Sequence, residues 1–218
     1  MADQASLNQL LQWSVENSAA SKNDPTTHST DQQRDPSHGL NAAALAELLG
    51  GPSDADRMRQ AMTAIIAPLS EVDLENKLIA WDNLEQLIEN IDNANNMHSL
   101  GMWQPLVAQL DNEEAEMRKW AAWCLSTAVQ NNIKCQETCL AVGAIPKLAK
   151  LAVEDESQAV RKKAVSAISS EVRNFQPGLD ELEKSLPKEF WVGRGVDAGD
   201  MEAVDGIVQK LRDHASRG

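Results

Sequence analysis

The chain repeats itself at an interval of about 40 residues, and this period limits the possible folds more than any other feature. Segment 117–119 recurs 43 positions later as 160–162, with Arg and Lys unchanged. The apolar positions after it also correspond, since Ala121, Leu125 and Val129 map onto Ala164, Ile168 and Val172. This length is typical of armadillo and HEAT repeats, in which each unit contains two or three helices. Such a unit cannot bury its apolar face alone, so neighbours stack into a solenoid whose ends need caps.

Apolar residues spaced at threes and fours predict the helices themselves. Four segments show this spacing: Met58, Met62, Ile65 and Ile66; Leu74, Leu78, Trp81, Leu84, Ile88 and Ile91; Met117, Trp120, Ala121, Cys124, Leu125 and Ala128; and Val160, Ala164, Ala167, Ile168, Val172 and Phe175. No segment of the body alternates with a period of two. The sequence therefore predicts an all-α fold, a short right-handed armadillo-like α-solenoid with helical caps and a flexible N-terminal segment.

Three regions follow from the composition along the chain. Residues 1–39 are predicted to form a mobile segment with a short amphipathic helix and a polar linker. Residues 40–180 are predicted to form the repeat domain, and 181–218 a loop and a C-terminal helix. The repeat pattern fades near residue 180, after about two and a half units. The last helix is either a second cap or a loosely tethered tail.

The formal net charge of −13 argues against nucleic acid or an anionic membrane surface as the partner. A protein with a neutral or basic patch fits better. No run of 18 apolar residues occurs, and the first residues lack the basic and apolar regions of a signal peptide. Three cysteines without an N-x-S/T acceptor favour a cytoplasmic location.

Catalytic motifs are missing from the sequence. It contains no phosphate-binding loop, no G-x-S-x-G elbow and no H-E-x-x-H helix, and its four His are scattered. Cys135 and Cys139 lie four apart, but no third zinc ligand follows at a suitable spacing. Paired acids such as Glu113 and Glu114 precede helices, where negative charge is stabilising. We therefore expect no enzyme activity, no cofactor and no metal.

Three stretches suggest a family: LLQWSVENS at 10–18, DLENKLIAWDNLEQLIENIDNANN at 73–96 and AAWCLSTAVQNN at 121–132. Together they resemble the fungal cytosolic armadillo-type nucleotide exchange factors of the 70-kDa heat-shock (DnaK-type) chaperones. The resemblance extends to about residue 180, and DNANN is its most specific part. It implies a monomer that binds the chaperone's nucleotide-binding domain, promotes ADP release and so lets the client go.

The resemblance also implies contact residues. Asn93, Ala94, Asn95 and Asn96 match the family's DNANN, where a small residue at 94 would let the chaperone approach. Three residues precede them on what is predicted to be the same long helix: Trp81, Asp82 and Glu85. Three more hold the equivalent place in the next repeat: Gln130, Asn131 and Asn132. The alternative is that these Asn residues end and cap helices.

Two arginines and the opening helix complete the predicted contacts. Arg161 and Arg173 flank the third repeat helix and would pair with acids on a partner, or remain solvated. Leu10, Leu11 and Trp13 belong to a segment that, by resemblance, competes for the chaperone's client site, although it could equally dock on the solenoid. Trp120 and Trp123 are expected in the core.

An armadillo adaptor for basic peptides, or a scaffold without exchange activity, is the alternative function. Such adaptors place Asn four residues after Trp on their inner helices. Here Trp123 is followed by Thr127, and Trp81 by Glu85. The Trp and Asn pattern of such adaptors is therefore missing here, while a scaffold without exchange activity remains a possible function.

Overall fold

The computed structural model describes residues 51–191, 193 and 195–217, so the predicted N-terminal segment 1–39 lies outside it. Ten α-helices make up the described part: α1 Asp54–Ile66, α2 Leu74–Ile88, α3 Ile91–Asn96, α4 Trp103–Ala108, α5 Ala115–Val129, α6 Ile133–Ala141, α7 Ala144–Glu154, α8 Gln158–Val172, α9 Gln176–Ser185 and α10 Met201–Ala215. Short 3-10 turns occur at Gln109–Asp111 and Lys188–Phe190. The described residues contain no strand, and the predicted all-α solenoid is confirmed.

Four long helices form a row along the solenoid. α2, α5, α8 and α10 begin at residues 74, 115, 158 and 201, which are intervals of 41, 43 and 43 residues. Each packs against the next, and the contact between α5 and α8 is the most extensive. The shorter helices α3 and α4, α6 and α7, and α9 fill the connections and form a second layer. The row is therefore the repeated element that the sequence period encodes.

The core lies between the row and the second layer. On α5, one stripe is at most 2% exposed: Met117, Ala121, Cys124, Leu125 and Ala128. Small residues on α8, Ala164 and Ala167, let the two long helices approach closely. Each large apolar side chain buried in this way stabilises the fold by about 1.5–3 kcal/mol.

Side chains from one helix cap the carboxyl end of another. Gln136 Nε2 donates to the carbonyls of Glu171 at 2.8 Å and of Ser170 and Arg173 at 3.2 Å, at the end of α8. Lys77 Nζ donates to the carbonyl of Ile65 at 2.6 Å, at the end of α1. Helix ends leave such carbonyls without an intrahelical partner. These bonds therefore satisfy buried polar groups and fix the position of one helix against another.

The chain reverses direction after α5 and α8 at equivalent points. Asn131 and Asn174 follow these helices, 43 positions apart, with φ of 53° and 54°. Asn tolerates this left-handed conformation better than most residues. Asn132 then caps α6 by accepting from the N–H of Cys135 at 3.4 Å. The asparagines of this stretch thus shape the turn between helices.

Three details of the predicted helices are wrong. α2 ends at Ile88, and Asn90 caps a separate helix α3 by accepting from the N–H of Asp92. Ile91 therefore starts a new helix and is 55% exposed instead of continuing the buried face. Ile66, at the end of α1, is 52% exposed. Phe175 precedes α9 and is not part of α8, which ends at Val172.

The last helix packs against the repeat helices and is not a loosely tethered tail. α10 contacts α8 and α7, and buries Val204, Ile207, Val208 and Leu211. It starts 43 residues after α8, so it takes the place of the long helix in one more unit. Within the described ranges, no helix is both long and apolar enough to cross a membrane.

Candidate functional site

One side of the helix row faces away from the core and carries the polar and aromatic side chains of α2, α5 and α8. On α5, the residues of this side are half-buried and recur at helical spacing next to the buried core stripe. We call this surface the row face and define it by Glu85, Glu89, Lys119, Trp120, Trp123, Ser126, Thr127, Gln130, Asn131, Lys163, Ser170 and Arg173. A groove of about 540 Å³ lies on it between α2 and α5, lined by Glu85, Glu89, Trp123, Ser126, Thr127, Gln130 and Asn131.

Side-chain hydrogen bonds join neighbouring helices across the row face. Thr127 Oγ1 donates to Glu85 Oε1 at 2.7 Å, which links α5 to α2. Ser126 Oγ and Ser170 Oγ are 3.2 Å apart, which links α5 to α8. These bonds hold three helices in a fixed relation. A partner that binds there meets a surface that is already ordered, so binding orders few side chains.

Two tryptophans stack at the centre of the row face. The ring centroids of Trp120 and Trp123 are 4.7 Å apart, with an angle of 9° between the ring planes. Lys163 Nζ lies 3.2 Å from the centroid of Trp123, and Lys119 Nζ 5.9 Å from that of Trp120. A cation over an aromatic face is attracted by the ring's quadrupole. The centre of the row face is therefore both aromatic and basic.

The charge of the row face differs from that of the whole chain. Lys119 and Lys163 lie beside the tryptophan pair at its centre and Arg173 lies where α8 ends, whereas the chain carries −13 overall. Burial lowers the pKa of Lys163, Glu85 raises it, and Lys119 lowers it further. The acids Glu85 and Glu89 stand on the α2 side. The face thus runs from acidic on α2 to basic on α5 and α8.

Four of the residues predicted as contacts lie on the row face. Glu85 is 8% exposed and bonded to Thr127, while Gln130 and Asn131 are exposed where α5 ends. Arg173 is half-buried, where its guanidinium pairs with Asp205 of α10 and donates to Ser169 Oγ at 3.2 Å. The groove brings Glu85, Gln130 and Asn131 together with Trp123, whereas Arg173 lies at the end of α8.

Two predicted contacts are core residues. Trp81 is 0% exposed, and its Nε1 approaches the sulfur of Met117 at 3.2 Å. Ala94 is 2% exposed on α3, which packs against α1, α2, α5 and α6. Neither side chain reaches the surface in this structure. Ala94, at the centre of the most specific part of the resemblance, is therefore buried in this structure.

Three more predicted contacts make hydrogen bonds within the fold. Asn93 Nδ2 donates to the carbonyl of Leu87 at 2.9 Å and to Asp54 Oδ2 at 3.0 Å. Asn132 caps α6, as described above. Arg161 donates to the carbonyls of Asp155 at 2.7 Å, Glu156 at 3.1 Å and Arg217 at 2.6 Å. The helix-capping alternative thus describes both asparagines, and Arg161 holds loops in place.

The remaining predictions are scattered. Asp82 is exposed on α2, where its carboxylate accepts from Gln86 at 2.7 Å. Asn95 and Asn96 are half-buried on α3, and Asn96 bonds to Ser99. None of the three lines the groove between α2 and α5. Leu10, Leu11 and Trp13 lie outside the described residues.

Sequence reasoning missed the surface position of Trp120, Trp123 and Lys163. Both tryptophans were expected in the core, but each is only half-buried. A signal was available, because Trp123 is out of phase with the stripe of Cys124, Leu125 and Ala128. Trp120 was harder to place, since it also packs against the core.

The described residues offer no reactive thiol and no metal site. Burial raises the pKa of Cys135 to about 12 and those of Cys124 and Cys139 well above their usual value. The reactive form of Cys is the thiolate, so all three are inert structural residues. No group of three or more His, Cys, Asp or Glu in the described part of the chain could hold a metal ion.

A row of stacked helices with an ordered, aromatic and charged face defines a helical-repeat protein with a surface suited to binding another protein. Residues 7–97 match the family described as "Nucleotide exchange factor Fes1", and residues 93–182 match the "SIL1/FES1/HPBP1 C-terminal domain". The chain belongs to the Fes1 family of nucleotide exchange factors.

Curated relatives share this similarity over almost their whole length. An "Hsp70 nucleotide exchange factor FES1" of Gibberella zeae is 52% identical over 95% of this chain and 95% of its own. Proteins of Coccidioides immitis and Neurospora crassa with the corresponding name are 49% and 45% identical, over 95% and 96% of this chain and 97% of each relative.

Proposed function

We propose that this protein is a nucleotide exchange factor for a 70-kDa heat-shock chaperone. It binds the chaperone's nucleotide-binding domain and promotes release of ADP, after which ATP binds and the client is released. The observation that carries the proposal is the 52% identity, over 95% of both chains, with a relative named for this activity. The ordered row face supports it, because it supplies a protein-binding surface.

Binding alone is sufficient for this activity. A partner that prefers the nucleotide-free conformation of the chaperone weakens nucleotide affinity by the same factor by which nucleotide weakens the partner. Such coupling requires no catalytic side chain on the exchange factor. The inert cysteines and the missing catalytic motifs agree with this, and we propose a cofactor-free, cytoplasmic monomer.

We place the contact with the chaperone on the row face. Glu85, Gln130, Asn131 and Arg173 are the predicted contacts that lie there. Asp82, Asn95 and Asn96 would extend the contact at its edge. The other five predicted contacts would act indirectly, by holding in place the helices that carry the row face: Trp81, Asn93, Ala94, Asn132 and Arg161.

The adaptor alternative is disfavoured by one contact. An adaptor for basic peptides needs a free aromatic face to receive the peptide's ammonium groups. The face of Trp123 is already covered by the chain's own Lys163, at 3.2 Å from the ring centroid. A basic peptide would have to displace the ammonium group of Lys163, which has the same charge as the peptide. The row face therefore disfavours the binding of basic peptides.

Release of labelled ADP from a cognate chaperone tests the proposal. The full chain should accelerate release from the isolated nucleotide-binding domain, with a rate that saturates as its concentration rises. The matched reaction contains the same chain after heat denaturation. No acceleration at saturating concentration would contradict the proposal and leave a scaffold role.

A further inference from the structure

The aromatic pair at the centre of the row face is only partly buried, although Trp120 also packs against the core. Trp81 and Trp103 are buried, at 0% and 4% exposure, and fill the interior as large side chains do. Trp120 and Trp123 instead lie half-buried and stacked on each other at the surface. Tryptophan is enriched among residues that dominate binding energy at protein interfaces. The pair is therefore a candidate anchor for a partner.

The cations beside the pair differ in their partners. Lys119 forms an ion pair with Glu116, one turn away on the same helix. Lys163 forms no ion pair with any residue in the described part of the chain, although the Trp123 ring and neighbouring side chains partly cover it. Its burial and the nearby Lys119 both disfavour its charge, and Glu85 opposes them only in part. A carboxylate brought by a partner would supply the missing opposite charge.

We propose that Trp120, Trp123 and Lys163 form the centre of the chaperone contact and receive an acidic patch of the nucleotide-binding domain. The inference rests on the proposed function and specifies the chemistry of the partner. It reverses the expectation from composition, which favoured a neutral or basic patch. The carboxylates would pair with Lys163 and would compete with Glu116 for the neighbouring Lys119, while apolar groups beside them cover the exposed ring edges.

The net charge argues against nucleic acid as the occupant. Stacked aromatic rings with nearby lysines are also typical of surfaces that bind single-stranded nucleic acid. Here the chain as a whole carries −13, and Glu85 and Glu89 line the adjoining groove. A continuous phosphate backbone would meet these acids, whereas a compact acidic patch on a protein need not.

Paired measurements of affinity and exchange on the full chain test the inference. We expect Trp123→Ala and Lys163→Glu each to weaken binding to the nucleotide-binding domain about tenfold or more and to slow ADP release at subsaturating concentration. Lys150→Glu is the matched control, because Lys150 is exposed on α7, in the second layer, and carries the same change of charge. It should bind within about twofold of the unaltered chain. Circular dichroism and melting confirm that each variant is folded.

A milder variant changes the salt dependence of binding, which loss of folding would not change in the same way. Lys163→Gln keeps the length of the stem and removes the charge, so it should reduce the salt dependence of the dissociation constant. Unchanged affinity and salt dependence in all three variants, with normal exchange by the unaltered chain, would overturn the inference and leave the proposed function standing. Failure of the unaltered chain to accelerate release would overturn the proposed function itself.

A labelled single-stranded oligoribonucleotide distinguishes the other class of occupant. We expect no binding at physiological salt. Binding by the unaltered chain that Trp123→Ala abolishes would overturn the inference, because it would assign the aromatic pair to nucleic acid.

Discussion

Arg118 and Asp155 form a two-point ion pair between successive repeats, with Nε 2.7 Å from Oδ2 and Nη2 3.1 Å from Oδ1. The Asp155 side chain is 3% exposed and also accepts from the backbone N–H of Ser157 at 2.8 Å. The hydrogen bond to Asp155 raises the pKa of Arg118. Because the pair is shielded from water, each charge depends on the other.

We expect Asp155→Ala to lower the free energy of unfolding by about 2–3 kcal/mol, since it leaves a partly buried guanidinium without its partner. Urea denaturation measures the loss. Lys147→Ala is the control, because the ion pair between Lys147 and Asp111 is exposed and should contribute about 0–1 kcal/mol. Equal losses in the two variants would contradict a special role for the buried pair.

The repeat could be predicted because equivalent positions in successive repeats carry the same residues and make the same contacts. Arg118 donates to the carbonyls of Asn112 and Glu113, and Arg161 to those of Asp155 and Glu156, so each arginine holds the loop five and six residues before it. The break between α2 and α3 was not visible, because the apolar period continues through Ile91. The last unit was missed because only a 3-10 turn, Lys188–Phe190, stands where a second short helix would be.

Gln136 provides a second test of how the repeats are joined. Gln136→Ala removes the amide that serves three carbonyls at the end of α8, and should cost about 1–3 kcal/mol of unfolding free energy. Glu137→Ala is the control, since Glu137 is the exposed neighbour on the same helix. Thermal melting followed by circular dichroism separates the two variants. Equal melting temperatures would show that water replaces the amide without loss.

Ala94 tests whether DNANN acts through the core or at the surface. Ala94→Arg forces a long charged side chain into a site that is 2% exposed, so we expect a loss of about 3 kcal/mol or more in stability. Ile91→Arg, on the same helix at a position 55% exposed, should cost little. A folded Ala94→Arg variant with an unchanged melting temperature and lost chaperone binding would instead place residue 94 in the contact.

The candidate site was less predictable than the fold, because helical spacing shows that a face exists but not which face remains free. Glu85, Gln130, Asn131 and Arg173 lie on the row face, but Ala94 and Trp81 are internal. The basic centre was hidden by a net charge of −13, which averages over the whole chain. Lys119 and Lys163 come from different repeats, and only the packing of α8 on α5 brings Lys163 to the tryptophan pair beside which Lys119 lies.

The opening segment allows a test that separates exchange from client release. Leu10, Leu11 and Trp13 are expected, from the resemblance, to compete for the client site. Removal of residues 1–16 should therefore leave ADP release unchanged and slow the release of a labelled client peptide. Replacing the three apolar residues by Ser in the full chain is the matched control and should have the same effect. Loss of exchange in either variant would show that the segment supports the fold.

Glu171 is a buried acid at the end of α8. Its side chain is 0% exposed, and no nitrogen or oxygen of the described residues forms a hydrogen bond with either carboxyl oxygen. Burial raises its pKa to about 8, and the Cys139 thiol has a smaller opposite effect. Cys135 and Cys139 face it, but their raised pKa values keep both protonated in the same range. Burial therefore favours the protonated, uncharged form of Glu171 in the folded protein at neutral pH.

We expect this acid to make the protein less stable as the pH rises. Between 4.5, the ordinary pKa, and about 8, the folded chain keeps a proton that the unfolded chain has lost. The contribution of Glu171 to stability is complete below pH 4.5, declines as the pH rises and is lost above about pH 8. Glu171→Gln keeps the size of the side chain and removes the titration. Unfolding free energies at pH 5.5, 6.5 and 7.5 should therefore fall less steeply in this variant than in the unaltered chain. Parallel slopes would mean that water reaches the carboxyl group and that its pKa is close to normal.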